Sequence, residues 1–202
     1  LIRAHYSDMD GVGPGYGLFG NRDPLDPTFA TLCSDSDTLA GNCVTNAGEA
    51  GTNDPTKIIS GNTPPPASRK DWGFSADLQW EINDQLSLVS VSAYEGLKKS
   101  RQEDADGSIA AGNTIGSSND YDQFSQEIRL QGAGDRFNWV VGGFYFWSEA
   151  SVSSNFGFFP NPQGYLGASD VSTKSYAAFA DGTYALTEKL NISLGARFTK
   201  ED

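Results

Sequence analysis

KSYAAFADGTYALTEKLNISLGARFTKED, Lys174 to Asp202, consists of two alternating runs joined by a short polar turn. In the first run Tyr176, Ala178, Ala180, Gly182, Tyr184 and Leu186 share one parity, with Ser175, Asp181 and Thr183 on the other and Phe179 as the exception. In the second, Ile192, Leu194, Ala196 and Phe198 oppose Ser193, Gly195, Arg197 and Thr199. Side chains alternate across a strand, so each run has an apolar and a polar face. Thr187-Glu188-Lys189 is long enough only for a tight antiparallel connection, which predicts a β-hairpin. Tyr176 and Tyr184 stand eight residues apart on the apolar parity, about 26 Å along an extended strand. Trp72 and Trp80 repeat that spacing, and so do Trp139 and Trp147. Paired aromatics at this separation match the girdles that edge the apolar band, about 25 Å tall, of a transmembrane β-barrel. A soluble β-sandwich with aromatic core residues is the competing reading of amphipathic strands taken alone.

Outward from that hairpin the same alternation recurs. Asp71 to Ile82 sets Trp72, Phe74, Ala76, Leu78 and Trp80 against Asp71, Ser75, Asp77, Gln79 and Glu81. Leu86 to about Arg101 returns, with Val89, Val91 and Ala93 as its apolar parity; Leu86 and Leu88 break that parity, which predicts a bulge or a buried lower end. Tyr121 to Gln131 and Phe137 to about Val152 form the next pair, the latter apolar on both parities because Phe144 and Phe146 compete with Trp139, Tyr145 and Trp147. Leu1 to Asp8 is a weaker alternation. Seven strands result, in an all-β antiparallel up-and-down meander. Short turns near Asn83, Gly134 and Glu188 alternate with long connections over 9–70, about 100–120 and about 153–173. Such segregation is the mark of an outer-membrane barrel, with short periplasmic turns and long external loops. The expected organisation is therefore one partial barrel over 1–202: a long external loop over 9–70, then three hairpins over 71–202. Seven strands do not make a closed, even-numbered barrel, so both ends are expected to need neighbours.

The net charge of −12 argues against nucleic acid, which requires basic patches. No apolar run approaches the length of a membrane helix, a fact that leaves a barrel open. Leu1-Ile2-Arg3-Ala4 opens on a strand alternation without a signal-peptide pattern, so the first residue reads as an internal point of a longer chain. Cys33 and Cys43, the two cysteines, both lie in the long loop; a disulfide closing this short ring would implicate an oxidising compartment. With one distant histidine, His5, they do not complete a zinc site. Asp8-Met9-Asp10-Gly11 starts like a calcium loop but lacks the later ligands, and Asp35, Asp37, Glu49 and Asp54 read as a solvated acidic loop. No Ser/His/Asp, Cys/His or His-Glu-x-x-His set is present, so no catalytic residues, enzyme activity, cofactor or metal is expected.

The runs Tyr121 to Leu130 (YDQFSQEIRL) and Phe137 to Phe146 (FNWVVGGFYF), the hairpin Lys174 to Lys200 and the opening LIRAHYSDMDGVGPG together resemble a TonB-dependent outer-membrane receptor. The resemblance implies a 22-stranded barrel in the bacterial outer membrane, plugged by an N-terminal domain. It implies active uptake of a siderophore-iron, cobalamin or glycan-like nutrient, driven by TonB through the plug. The chain as read holds no plug domain, TonB box or terminal strand, so about a third of such a barrel is expected, with outer-membrane lipid, the rest of the barrel and the plug as partners. On that scaffold the candidate ligand contacts are the loop aromatics Tyr16, Phe19, Phe156, Phe158, Phe159 and Tyr165. Asp77, Glu81, Glu127, Arg129, Asp181 and Arg197 are expected on the inner wall, pairing across strands or meeting the plug. A β-sheet surface adhesion or assembly module, whose open edges recruit further strands, is an alternative, and a passive porin is another.

Overall fold

The computed structural model describes residues 1–13, 20–45, 48–50, 66–105, 114–158 and 161–202. Seven strands form one antiparallel sheet in chain order: β1 (Ile2–Val12), β2 (Pro66–Asn83), β3 (Leu86–Asp104), β4 (Thr114–Ala133), β5 (Phe137–Phe158), β6 (Asn161–Thr187) and β7 (Leu190–Glu201). Each strand pairs with its sequence neighbours, and β1 and β7 are the edges. The meander expected from the alternation is thus the observed fold. The strands run further toward the long connections than expected. β1 continues to Val12, β4 begins at Thr114, and the region expected as a loop over 153–173 is instead the top of the β5–β6 hairpin, where Phe156 pairs with Tyr165. Both parities there carry serines and small residues, which hide a strand from a period-two reading.

The described residues give the sheet no core of its own. Among the described residues the buried apolar side chains are Cys43 and Ala177, while Leu78, Trp80, Leu194 and Phe198 are exposed. The accessible surface of 13445 Å² compares with about 9,200 Å² for a compact soluble monomer of this mass. Among the described residues nothing covers either face of the sheet.

Between β1 and β2, residues 20–50 include a small lobe. Arg22 bridges to Leu32 and Val44, and Val44 to Ala50. Cys33 and Cys43 are joined by a disulfide with Cα atoms 6.4 Å apart. The six-residue helix α1 (Asp35–Ala40) is capped by Ser34, which accepts from the Asp37 amide at 3.1 Å, and is closed by Gly41 in the left-handed region (φ 75°). Asp26 organises the preceding turn: its carboxylate accepts from the amides and hydroxyls of both Thr28 and Thr31 at 2.7–2.9 Å. Those bonds, the Thr28 hydroxyl foremost, hold the carboxyl well below the usual carboxylate range.

Candidate functional site

Strand register sorts the side chains into two faces, because directly paired residues share a side. One face carries Tyr6, Trp72, Phe74, Leu78, Trp80, Leu88, Tyr94, Phe124, Ile128, Leu130, Trp139, Val141, Tyr145, Trp147, Tyr176, Tyr184, Ile192, Leu194 and Phe198. All six aromatics singled out by spacing, Trp72, Trp80, Trp139, Trp147, Tyr176 and Tyr184, therefore fall on this apolar face. The ambiguity of β5 is settled by Tyr145 opposite Tyr176 (ring centroids 5.1 Å apart), which sends Phe144 and Phe146 to the other side.

β3 departs from expectation. Leu88 lies opposite Trp80 and Leu130 on the apolar face, whereas Val89, Val91 and Ala93 face the charged side. The register shift lies in β2, between Glu81 and Asn83. Apart from tyrosines, the polar side chains between the aromatics on the apolar face are Ser90, Ser92 and Gln126. They satisfy one another: the Gln126 amide donates to Ser90 Oγ at 2.9 Å and to the Glu127 carbonyl at 3.1 Å, and accepts from Ser92 Oγ.

The aromatic positions follow two slanted lines. The paired row through Trp72 runs Gly96, Asp122, Glu149, Ser172, and Tyr176 sits four residues nearer the short turns than Ser172. The row through Trp80 runs Leu88, Leu130, Val141, Ala180, and Tyr184 again sits four residues nearer the turns. Four residues are about 13 Å along a strand, and four strand spacings about 19 Å across. The lines thus cross the strands as a plane would if the strands tilted by about 35°, within the range of transmembrane barrels. At that tilt the eight-residue interval projects to about 22 Å.

The other face carries every charge expected on an inner wall: Asp77, Glu81, Glu127, Arg129, Asp181 and Arg197. Arg3 meets Asp77 at 3.4 Å across β1 and β2, and Arg129 meets Glu127 at 3.3 Å along β4. His5 reaches over Gly73 to Glu95, Nε2 to Oε2 3.2 Å, joining β1 to β3. Arg197 stands over two rings, 5.8 Å from the Phe144 centroid and 5.5 Å from that of Phe179. The Phe179 ring lies across Gly142, where a Cβ would collide with it. Sequence reasoning found the charges but missed the Phe144–Phe179–Arg197 stack, which only register reveals.

Beyond the Trp72–Tyr176 line the polarity reverses. Ile115, Tyr121, Val152, Phe156 and Val171 continue the charged face, while Glu149, Ser151 and Asp170 continue the apolar one. Of the candidate ligand contacts, Phe156 belongs to this apolar strip of the charged face and is 39% exposed. Phe158 and Tyr165 lie in β5 and β6, with side chains outside the described set; Tyr16, Phe19 and Phe159 lie outside the described residues.

A sheet with one apolar face between aromatic lines, one charged face and all short turns at one end has the design of a membrane β-barrel wall. The family model for the TonB-dependent receptor-like β-barrel matches residues 3–202, and the chain belongs to that family. No curated protein matches it. Two solved structures are similar in fold. The ferric yersiniabactin uptake receptor FyuA from Yersinia pestis shares 18% identity over 68% of this chain and 21% of its own, with a TM-score of 0.53. The ferric-catecholate import receptor Fiu from K12 E. coli shares 10% identity over 99% of this chain and 31% of its own, with a TM-score of 0.50. The chain thus spans between about a fifth and a third of those receptors. The family is one of bacterial outer-membrane receptors rather than enzymes.

Proposed function

We propose that this chain is a wall-and-loop segment of a receptor that imports a scarce nutrient, such as a siderophore-bound metal, across the bacterial outer membrane using TonB. The observation that carries the reading is the pair of parallel slanted aromatic lines enclosing an apolar face, with a charged face behind it. In this reading the aromatic lines are the interfacial girdles, with Trp72, Trp147 and Tyr176 at the outer edge and Trp80, Trp139 and Tyr184 at the periplasmic edge. Asp77, Glu127, Arg129, Asp181 and Arg197 face the lumen and meet the plug of the complete protein. The inward strip above the outer girdle, with Phe156, is the wall of the vestibule through which a ligand enters, and the disulfide lobe stands at the cell surface.

The test is energy-dependent uptake by cells that make the full-length chain. The panel is labelled ferric hydroxamate, ferric catecholate, cobalamin and an oligosaccharide. Uptake of one of these should require both the chain and TonB, and should weaken when Phe156 and Val152 are both replaced by Asp. Recovery of the full-length chain in the water-soluble fraction, or uptake indifferent to TonB, overturns the reading.

A further inference from the structure

The charged face differs from strand to strand. On β4 every side chain of that face from Ser117 to Gln131 is polar. The centres of its two neighbours are apolar there: Val89, Val91 and Ala93 on β3, and Val140, Phe144 and Phe146 on β5. None of these six is buried. A polar stripe thus runs between two apolar rails. Ser117 and Gln131 stand fourteen residues apart, which is about 46 Å along a strand. β4 meets the upper aromatic line at Phe124, opposite Trp147, and the lower one at Gly132, opposite Trp139. The stripe therefore spans the whole apolar band. At its upper end Asn119 stands opposite Val152, in the strip that carries Phe156.

The stripe carries no uncommitted charge. Glu127 and Arg129 meet each other at 3.3 Å, and the rest are hydroxyls and amides, with the Tyr121 hydroxyl donating to Gln123 Oε1 at 2.8 Å. Such groups offer many weak contacts and no deep trap, which is what passage requires. Among strands with a described neighbour on each side, β2 is the other with a mainly polar centre on this face, and it is closed. Its stripe breaks at Gly73, over which His5 reaches Glu95 at 3.2 Å, and Arg3 holds Asp77 at 3.4 Å.

In the barrel reading this face surrounds the plug. A polar contact released into water recovers its hydrogen bonds, whereas an apolar contact released into water loses its burial. The seal between plug and wall therefore costs least to open along β4 and most along the rails. We propose that an imported compound crosses the barrel along β4, where the plug parts from the wall while staying seated on the apolar rails of β3 and β5. This route rests on the uptake reading above. The compound it suits presents hydroxyls and amides, because the stripe pairs with both and holds no free cation for a polyanion.

The test uses cells that make the full-length chain and the four labelled compounds named above. Ser75 and Ser125 stand in one row of the charged face with Ala93 between them, so a substitution at Ser75 is a control matched in height and residue type. Ser125→Trp should lose TonB-dependent uptake of the compound that the wild type imports, and should keep its binding in cells without TonB. Ser75→Trp should keep both, and so should Ser125→Asn, which adds little bulk and still pairs. A heat-dependent gel shift identifies the folded variants. If Ser125→Trp fails to fold, Ser125→Cys and Ser75→Cys take over. A membrane-impermeant thiol reagent should then modify Ser125→Cys faster with TonB than without it, and Ser75→Cys equally in both.

Wild-type uptake by Ser125→Trp, or equal loss in both tryptophan variants, overturns the proposal while leaving the receptor reading intact. Loss in Ser75→Trp alone also overturns it, because the route would then follow β2. Modification of Ser125→Cys that ignores TonB does the same. A wild-type chain that imports none of the four compounds defeats the receptor reading itself, and the route with it.

Discussion

Gln126→Ala is the substitution that most directly reports what the apolar face touches. Gln126 closes a set of three hydrogen bonds with Ser90, Ser92 and the Glu127 carbonyl in the middle of that face. Removing the amide leaves two serine hydroxyls without their partner. Hydrogen bonds between side chains in a membrane average about 0.6 kcal/mol and reach about 1.7, so the two together should cost about 1–3 kcal/mol. Replacing all three at once, Ser90→Ala, Ser92→Ala and Gln126→Leu, removes the polar atoms with their needs and should be neutral or stabilising. The assay is reversible urea unfolding of the full-length chain in lipid vesicles, followed by tryptophan fluorescence. If the face met water, Gln126→Ala would fall within about 0.5 kcal/mol of wild type, and the added apolar surface of the triple variant would not help. That result, a silent single variant beside a triple variant no better than it, would refute the assignment of this face to lipid.

Three further outcomes follow from individual contacts. Gly142→Val places a Cβ against the Phe179 ring and 2.8 Å from the Ile128 carbonyl, and should cost about 1–3 kcal/mol in unfolding. Gly11→Val, with open space around the site, serves as the mild control. Replacing Cys33 and Cys43 by Ser should weaken the lobe by roughly 2–3 kcal/mol, read as faster proteolysis within 20–50 while the strands stay protected. Asp26 has a depressed carboxyl pKa in the folded lobe, so its contribution is present above the ordinary carboxylate pKa of about 4 and is lost as pH falls toward the folded value. Exchange protection of the Thr28 and Thr31 amides should therefore drop in acid, and Asp26→Asn should lower it at neutral pH and abolish that pH dependence.

Most of the sheet was legible because alternation and turn length are local signals. Trp72 to Ile82 and Tyr176 to Leu186 announce both their faces, and the three short turns announce the pairing. β3 was misread for a physical reason. Its own parity favours Val89, Val91 and Ala93 as the apolar side, but the irregularity at Glu81/Asn83 in its neighbour sets the register, and Leu88 then meets Trp80. A strand's face is decided by its partners, and no window within one strand contains that information. The charged side was legible as a set of residues, not as an arrangement. That His5 meets Glu95, or that Arg197 caps Phe179 and Phe144, depends on glycines at 73 and 142 letting side chains from other strands cross over them. The tops of β5 and β6 escaped because serine and glycine occupy both parities.

A third feature follows the same slant as the aromatic lines and was fixed by none of the reasoning that found them. The short turns begin at Asp84, four residues beyond Trp80; end at Arg136, three before Trp139; and begin at Glu188, four beyond Tyr184. Measured instead from the paired row through Trp80, the turn is four residues away at β4 and eight at β6. The turns therefore keep station with the lower aromatic line and drift from the strand register. In a free-standing sheet nothing ties turn position to aromatic position, because hydrogen bonding alone sets where a hairpin closes. A plane that cuts the strands obliquely, apolar on one side and wet on the other, sets both at once: it anchors the ring and requires the polar turn a few residues later. The reversal of polarity beyond the upper line is the same boundary met from the other end. In the orientation proposed above, the aromatic-lined face leaves hydrocarbon for water there and takes up Glu149, Ser151 and Asp170, while the opposite face is free to become apolar around Phe156.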